Sequence, residues 1–168
     1  MNNILTTKLN PPVSIKPQIE RTLIFNHLDQ YTKVKLISVI APAGFGKTTF
    51  LNQLYLQQKK CRKVIWMTLD NADNDFNRFI QHLSYIWFKT TNQPFNNNFL
   101  ENITQYSHPF TIFLDQVEHI YDESTLKFLQ QIIDYLPSHS QIVIGSRQLL
   151  PLKIASLRIR CQILEINQ

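Results

Sequence analysis

Glycine is scarce in this chain: its 168 residues include only Gly44, Gly46 and Gly145. Two of the three fall within one short segment, so the chain must make most of its turns with proline, asparagine and aspartate. Cysteine is equally scarce, because Cys61 and Cys161 are too few for a disulfide framework and lack the spacing of a metal site. The disulfide-rich and zinc-binding classes of small domain are therefore excluded.

Long apolar runs are also missing. No stretch approaches the ~18 to 20 apolar residues that are needed to cross a bilayer. The first eight residues, Met-Asn-Asn-Ile-Leu-Thr-Thr-Lys, do not contain the apolar core of a signal peptide. Together with the few cysteines, these absences predict a cytoplasmic protein with no membrane partner.

A strong excess of one charge is absent as well. The net charge of +5 comes from 17 basic and 12 acidic residues, and the only dense basic run is 59–63. This run lies where a predicted helix ends, and cations at that position interact favourably with the helix dipole. We therefore expect no direct DNA binding. A nucleic-acid-binding module is kept as an alternative, supported only by the isoelectric point near 9.3.

The apolar residues that are present form short, regularly separated runs. Residues 1–17 contain three prolines and predict an extended N-terminal arm, whereas 18–168 have the size of one domain. Strands are predicted at 35–40, 63–68, 110–115, 141–145 and 162–166, and helices at 19–28, 48–58, 75–89, 99–105 and after Asp122. Apolar strands that alternate with helices predict an α/β fold, in which a parallel sheet is covered on both faces.

Residues 41–48 read Ala-Pro-Ala-Gly-Phe-Gly-Lys-Thr and follow the first predicted strand. They match a phosphate-binding (Walker A) loop of the G-x-x-x-x-G-K-S/T type, with alanine in place of the first glycine. Glycine lets the backbone N–H groups approach phosphate oxygens, and the next helix directs its positive end at the same anion. Lysine supplies a charge for the β- and γ-phosphates, and threonine supplies an oxygen for Mg²⁺. The predicted ATP- or ADP-binding residues are Gly44, Phe45, Gly46, Lys47, Thr48 and Thr49.

A second motif ends the third predicted strand with an acid. The run Thr111-Ile-Phe-Leu-Asp115 predicts that Asp115 reaches Mg²⁺ directly or through water, so Thr48 and Asp115 are the predicted metal ligands. Gln116 stands where many ATPases have an acid, and an amide cannot accept a proton from the attacking water. Glu118 is the other candidate catalytic residue, although we expect both Glu118 and Glu123 to be surface acids. These features predict weak or absent hydrolysis.

The fourth predicted strand ends with Ser146 and Arg147. If this strand neighbours the phosphate-binding loop, Arg147 would distinguish ATP from ADP through a charge-assisted hydrogen bond to the γ-phosphate. The alternative is a surface arginine that pairs with a carboxylate.

Taken in chain order, several segments resemble the MalT-like regulators, which are large bacterial ATP-dependent transcription activators of the LuxR type in the STAND class of NTPases. The segments are 7–11, 19–21, 38–49, 64–70, 73–75 with 78–79, the strand that ends at 115, 136–137, 146–147, 151–152 and 157–160. This resemblance spans nearly the whole chain and is more specific than the phosphate-binding loop alone.

The resemblance implies a P-loop NTPase core: a three-layer sandwich whose parallel sheet has the strand order 5-1-4-3-2. It implies that ATP favours an active, self-associating state and that ADP favours a resting state. It also implies that Lys47 and Thr48 bind phosphate and magnesium, and that Asp115 is the acid of the second motif. By the same resemblance, Arg147 senses the γ-phosphate, and Arg21 matches an arginine on the N-terminal arm near the nucleotide.

Three features depart from the MalT-like pattern: Gln116 replaces an acid, residues 90–109 form a shorter stretch than usual, and the sequence ends at Gln168. We therefore expect an ATP/ADP–Mg²⁺-binding regulatory domain without its own DNA-binding or sensor domains. Its expected partners are a second copy of itself or a full-length MalT-like regulator. The alternative is an autonomous small P-loop kinase or NTPase, with Arg158 and Arg160 as candidate lid residues.

Overall fold

Five parallel strands form one sheet in a computed structural model of the chain, which describes residues 6–13, 34–93 and 98–167. The strands are β1 (Leu36–Ile40), β2 (Lys63–Thr68), β3 (Phe110–Asp115), β4 (Gln141–Ser146) and β5 (Ile163–Asn167). Their order across the sheet is β2-β3-β4-β1-β5. This is the predicted order read from the opposite edge, and it confirms the predicted fold class.

Five α-helices lie among the described residues. They are α1 (Lys47–Gln58), α2 (Phe76–Thr91), α3 (Phe99–Gln105), α4 (Glu123–Tyr135) and α5 (Ala155–Ile159). Local capping fixes several boundaries: the Asp75 carboxylate accepts the N–H groups of Asn77 and Arg78 at the start of α2. Asp122 accepts the N–H of Thr125 at the start of α4, as predicted. The predicted helix at 19–28 lies outside the described residues.

Helices cover both faces of the sheet. Side chains alternate along each strand, so each face presents its own set of residues to the helices. One face packs against α1, with Leu51 and Leu54 of the helix meeting Trp66 and Phe113 of the strands. The other face packs against α2, α3 and α4 and forms a larger core, whose buried residues include Phe79, Leu83, Trp87, Ile103, Phe110, Leu129 and Ile133. The predicted three-layer arrangement is therefore confirmed.

The described part of the N-terminal arm packs against the edge strand β2. Thr6–Leu9 form a short 3₁₀ helix, so the prediction of an extended arm is wrong for these four residues. Leu9 is buried in the larger core, and Asn52 of α1 donates to the carbonyl of Pro12 at 3.2 Å. Because this anchoring relies on tertiary contacts, the proline-rich sequence gave no local signal for it. The domain boundary at residue 17 remains a prediction.

A cluster of ionisable side chains around the buried Asp73 holds the arm in place, and we call it the arm cluster: Lys8, Asp70, Asp73, Arg78 and His82. The Asp73 side chain is fully buried; Lys8 donates to it, and the Asp70 N–H donates to the same oxygen at 2.9 Å. The other Asp73 oxygen lies 3.9 Å from Arg78 Nε and 3.4 Å from His82 Nδ1. The arm is thus tied by charge to the 3₁₀ turn Asn71–Asn74, which follows β2.

Candidate nucleotide-binding site

The candidate site lies where the strands reach their carboxyl ends, next to the loop between β1 and α1. Gly44 and Gly46 adopt φ values of 86° and 75°, in the left-handed region that favours glycine. Helix α1 begins immediately after Gly46 without a side-chain cap, and the Gly46 carbonyl accepts the Phe50 N–H at 2.9 Å. The first-turn N–H groups of α1 therefore point toward the loop, as an anion site requires.

The second motif meets this loop directly. Thr48 Oγ1 donates to the fully buried Asp115 carboxylate at 2.7 Å. Gly145 of the neighbouring strand β4 makes room for this contact, because a Cβ there would lie 2.8 Å from both Asp115 Oδ1 and Leu51 Cδ2. The third glycine of the chain thus allows the aspartate to pack beside the phosphate-binding loop.

The environment of Asp115 suits a nearby cation. Burial raises the pKa of Asp115, and the hydrogen bond from Thr48, the charge of Lys47 and the Gln116 N–H only partly oppose that rise. A positive ion beside the carboxylate would offset the penalty of burial. Within the described residues, no three or more His, Cys, Asp or Glu side chains form a metal-binding group. The hydroxyl of Thr48 and the carboxylate of Asp115 nevertheless fit Mg²⁺, which prefers oxygen ligands and keeps several from water and phosphate.

Glu118 lies inside the site, so its predicted place on the surface is wrong. Its side chain is only 9% exposed, and its Oε1 lies 3.1 Å from Arg147 Nε and 3.8 Å from Lys47 Nζ. The backbone N–H of Arg147 also donates to Glu118 Oε2 at 3.2 Å. Glu123, by contrast, is exposed as predicted and pairs with Lys127 one helical turn away.

The backbone turn at Gln116 explains why Glu118 points inward. Gln116 has a φ of 62°, in a region that few non-glycine residues occupy, and its N–H donates to Asp115 Oδ1 at 2.9 Å. The next three residues, Val117–His119, form a 3₁₀ turn. This reversal moves Glu118 from the end of β3 toward Lys47.

Asn74 fixes the same turn from outside. Its amide donates to the His119 carbonyl at 2.8 Å, and its oxygen accepts the N–H groups of Tyr121 and Asp122 at 2.8 and 2.9 Å. One side chain after β2 thereby holds the segment that carries Glu118. We call Lys47, Asp115, Glu118 and Arg147 the loop cluster.

The other predicted site residues have different surroundings. Phe45 is 54% exposed at the tip of the loop, and Thr49 is half-buried in the first turn of α1. Arg147 is in direct contact with a carboxylate, which is the alternative left open by the sequence. The Ser146 hydroxyl donates to the Gln148 carbonyl at 2.7 Å and shapes the turn after β4. Arg21 lies outside the described residues.

Comparisons with known proteins bear on the family and the fold of this chain. Residues 33–167 match the protein-family model described as an AAA domain. The HTH-type transcriptional regulators MalT of Vibrio campbellii and Vibrio cholerae are 27% and 28% identical to this chain. Each alignment covers 97% of this chain and 20% of the relative, so the chain spans about a fifth of the length of these curated relatives. The resemblance to MalT-like regulators is therefore confirmed.

Solved structures confirm the fold alone. A DNA replication initiation factor has a TM-score of 0.51 and 20% identity, over 86% of this chain and 44% of that one. Drosophila ORC bound to DNA has a TM-score of 0.54 and 9% identity, over 88% and 29%. The replication initiator DnaA bound to AMPPCP and single-stranded DNA has a TM-score of 0.50 and 18% identity, over 88% and 45%. These neighbours have the P-loop fold of AAA+ ATPases.

No helix in the described ranges is both long enough and apolar enough to cross a membrane.

Proposed function

This chain belongs to the AAA domain family, and from that premise we propose that it binds ATP or ADP with Mg²⁺ as a regulatory nucleotide switch. The observation that carries the proposal is the convergence of Lys47, Thr48, Asp115 and Arg147 at the carboxyl ends of β1, β3 and β4. In an open α/β sheet, ligands bind at the carboxyl ends of the strands.

Each of these residues has a distinct part in the proposed complex. The Gly44–Lys47 backbone and the start of α1 supply N–H donors for phosphate oxygens, and the Lys47 ammonium supplies a full charge. Thr48 Oγ1 and the Asp115 carboxylate would hold Mg²⁺. When bound, the ion neutralises negative charge on the phosphate oxygens. Arg147 is the proposed contact to the γ-phosphate and would distinguish ATP from ADP.

We propose that hydrolysis is weak or absent. The amide of Gln116 cannot accept a proton from water, and its left-handed backbone directs the chain away from an ordinary strand extension. This part of the proposal rests on Gln116, which stands where many ATPases have an acid.

The regulatory part of the proposal rests on similarity to MalT. By that similarity, the ATP form associates with a second copy or with a full-length MalT-like regulator, and the ADP form rests. We also propose a cytoplasmic location, an arm–domain boundary near residue 17 and no direct DNA binding. Light scattering in Mg·ATP and in Mg·ADP tests the switch, which requires a larger particle in ATP.

One contact favours the switch over the alternative of a small kinase. Arg158 would need to be free to close over a phosphate, yet it forms a two-pronged pair with Glu165 of β5 at 2.8 and 2.7 Å. This geometry ties the arginine to the edge of the sheet instead.

Nucleotide titration calorimetry on the wild type and on Lys47→Ala tests the proposal. We expect Mg·ATP to bind the wild type and to bind Lys47→Ala about a hundredfold more weakly, because a charge-assisted contact to phosphate is lost. Lys127→Ala is the matched control, since that lysine is exposed on α4 and pairs with Glu123.

Equal ATP affinity of Lys47→Ala and wild type would contradict the proposed site. The same samples also measure phosphate release. We expect a rate on the order of 10⁻³ s⁻¹ or slower, as for switch GTPases that act alone.

A further inference from the structure

Glu118 is a carboxylate placed among cations that nucleotide binding would need. Its Oε1 lies within ion-pair distance of the Lys47 and Arg147 side chains, and its Oε2 accepts the backbone N–H of Arg147. A phosphate oxygen carries negative charge and would have the same preference for these two side chains. Carboxylate and phosphate therefore compete for the same partners.

The fold places this carboxylate in advance. Gln116 turns the chain, and Val117 is fully buried, so the 3₁₀ turn that carries Glu118 has a fixed position. Asn74 holds the following residues through three hydrogen bonds to the backbone. Glu118 is thus held at the phosphate-binding loop by the core rather than by chance contact at the surface.

The pairing is also weak enough to be replaced. Glu118 Oε1 is buried yet accepts no well-formed hydrogen bond, and its distance to Lys47 Nζ is 3.8 Å. Arg147 is 54% exposed and can leave the carboxylate without opening the core. A triphosphate would supply better hydrogen-bond geometry to both cations.

We propose that Glu118 is a competing carboxylate that lowers ATP affinity more than ADP affinity. This inference rests on the proposed function. ATP must take both Lys47 and Arg147 from Glu118, since Arg147 is the proposed γ-phosphate contact. ADP lacks that phosphate and leaves the Arg147–Glu118 pair intact. Glu118 therefore biases the nucleotide-binding equilibrium toward ADP, and only an excess of ATP displaces it.

Calorimetric titration of Glu118→Gln with Mg·ATP and Mg·ADP tests this inference. We expect ATP to bind about tenfold more tightly than to the wild type, and ADP to change by less than about threefold. Glu123→Gln is the matched control, because it removes the same charge from an exposed acid five positions along the chain. It should leave both affinities unchanged.

A double-mutant cycle identifies the contact through which Glu118 acts. In an Arg147→Ala background, the gain in ATP affinity from Glu118→Gln should shrink to less than about threefold, because the guanidinium for which Glu118 and the γ-phosphate compete is gone. If the full gain persists there, the selectivity does not act through Arg147 and the inference is wrong. If Glu118→Gln does not fold by circular dichroism, Glu118→Asp, which withdraws the carboxylate by one methylene, should give a smaller ATP gain in the same direction.

The outcomes separate this inference from the proposed function. If the wild type binds ATP in a Lys47-dependent way but Glu118→Gln binds it equally or more weakly, the competing role is overturned and the site stands. Equal gains for ATP and ADP would also overturn it. If neither the wild type nor Glu118→Gln binds either nucleotide, the proposed function fails and the inference fails with it.

Discussion

The arm cluster and the loop cluster each place a lysine and an arginine near carboxylates, but in different arrangements. In the arm cluster, Asp73 is fully buried, and one oxygen accepts hydrogen bonds from both Lys8 and the Asp70 backbone. In the loop cluster, Glu118 meets Lys47 and Arg147 as looser ion pairs, and one of these cations is half exposed. Both clusters join segments that are distant in the sequence.

From this difference we infer that the arm cluster stabilises the fold, whereas the cations of the loop cluster can exchange their carboxylate partner for a ligand. Asp73 belongs to a capped 3₁₀ turn, so one of its hydrogen bonds, from the Asp70 N–H, is supplied by the local backbone. Among the described residues, the two cations that pair with Glu118 are not local, because Lys47 begins α1 and Arg147 follows β4. We therefore expect changes in the arm cluster to alter stability, and changes in the loop cluster to alter nucleotide affinity.

Asp73→Asn should have the largest effect on stability. It removes the fully buried carboxylate and leaves the nearly buried Lys8 ammonium with only the half-exposed Asp70, 3.0 Å away, among the described residues. Breaking such a buried pair costs about 3 to 5 kcal/mol. Urea denaturation measures the loss. Asp134→Asn, at an exposed position on α4, should stay within about 0.5 kcal/mol of the wild type. A loss below about 1 kcal/mol for Asp73→Asn would erase the distinction between the clusters.

Gly145→Ala should have an intermediate effect on stability. It should also displace Asp115 of the loop cluster, because the new methyl group would crowd it. The new methyl would lie 2.8 Å from Asp115 Oδ1 and from Leu51 Cδ2, so overpacking should cost about 1 to 3 kcal/mol. Denaturation of the ligand-free protein measures it, and ATP affinity should fall because Asp115 must move.

Gly44→Ala separates the effect of space from that of backbone conformation. Among the described residues, no atom other than those of its two chain neighbours lies within 4 Å of a Cβ at Gly44, yet its φ of +86° is unfavourable for alanine. We expect a cost of about 1 kcal/mol from conformation alone. If Gly145→Ala is no more costly than Gly44→Ala, close packing at Asp115 is not what requires glycine on β4.

The smallest expected effect is a pH dependence that originates in the arm cluster. Burial lowers the pKa of His82, Asp73 opposes this shift, and Lys8 and Arg78 reinforce it. The unfolded chain therefore binds this proton before the folded chain does, and the free energy of unfolding falls as pH drops below about 6.5.

Thermal melts of wild type, His82→Gln and the exposed His108→Gln between about pH 7.5 and pH 5.5 measure this dependence. His82→Gln should show a smaller loss toward acid than wild type, and His108→Gln should follow wild type. Parallel curves for all three would mean that His82 titrates as it does in the unfolded chain.

The sequence predicted most of the fold because apolar runs and capping residues are local signals. The predicted strand 63–68 coincides with β2, and Asp122 caps α4 as its position suggested. The order of the strands is not a local property, and it was predicted from the resemblance to MalT-like regulators. The phosphate-binding loop and Asp115 could also be identified from the sequence, because phosphate and metal chemistry constrain their residue types and spacing.

The contacts that the sequence did not reveal depend on tertiary structure. Glu118 points inward because Gln116 adopts a left-handed conformation, and a glutamine gives no sequence signal for that. The pairing of Lys8 with Asp73 joins residues 65 positions apart. Gly145 did carry a usable signal, because an isolated glycine within a strand indicates close approach of another group.

The most direct test of the account is a crystal structure with Mg²⁺ and a non-hydrolysable ATP analogue. We predict phosphate oxygens within hydrogen-bond distance of Lys47 Nζ and of Arg147, with the Glu118 carboxylate more than about 4 Å from both cations. Binding of the analogue elsewhere would contradict the proposed site, and phosphates in the loop with Glu118 still bridging Lys47 and Arg147 would contradict the competing role of Glu118.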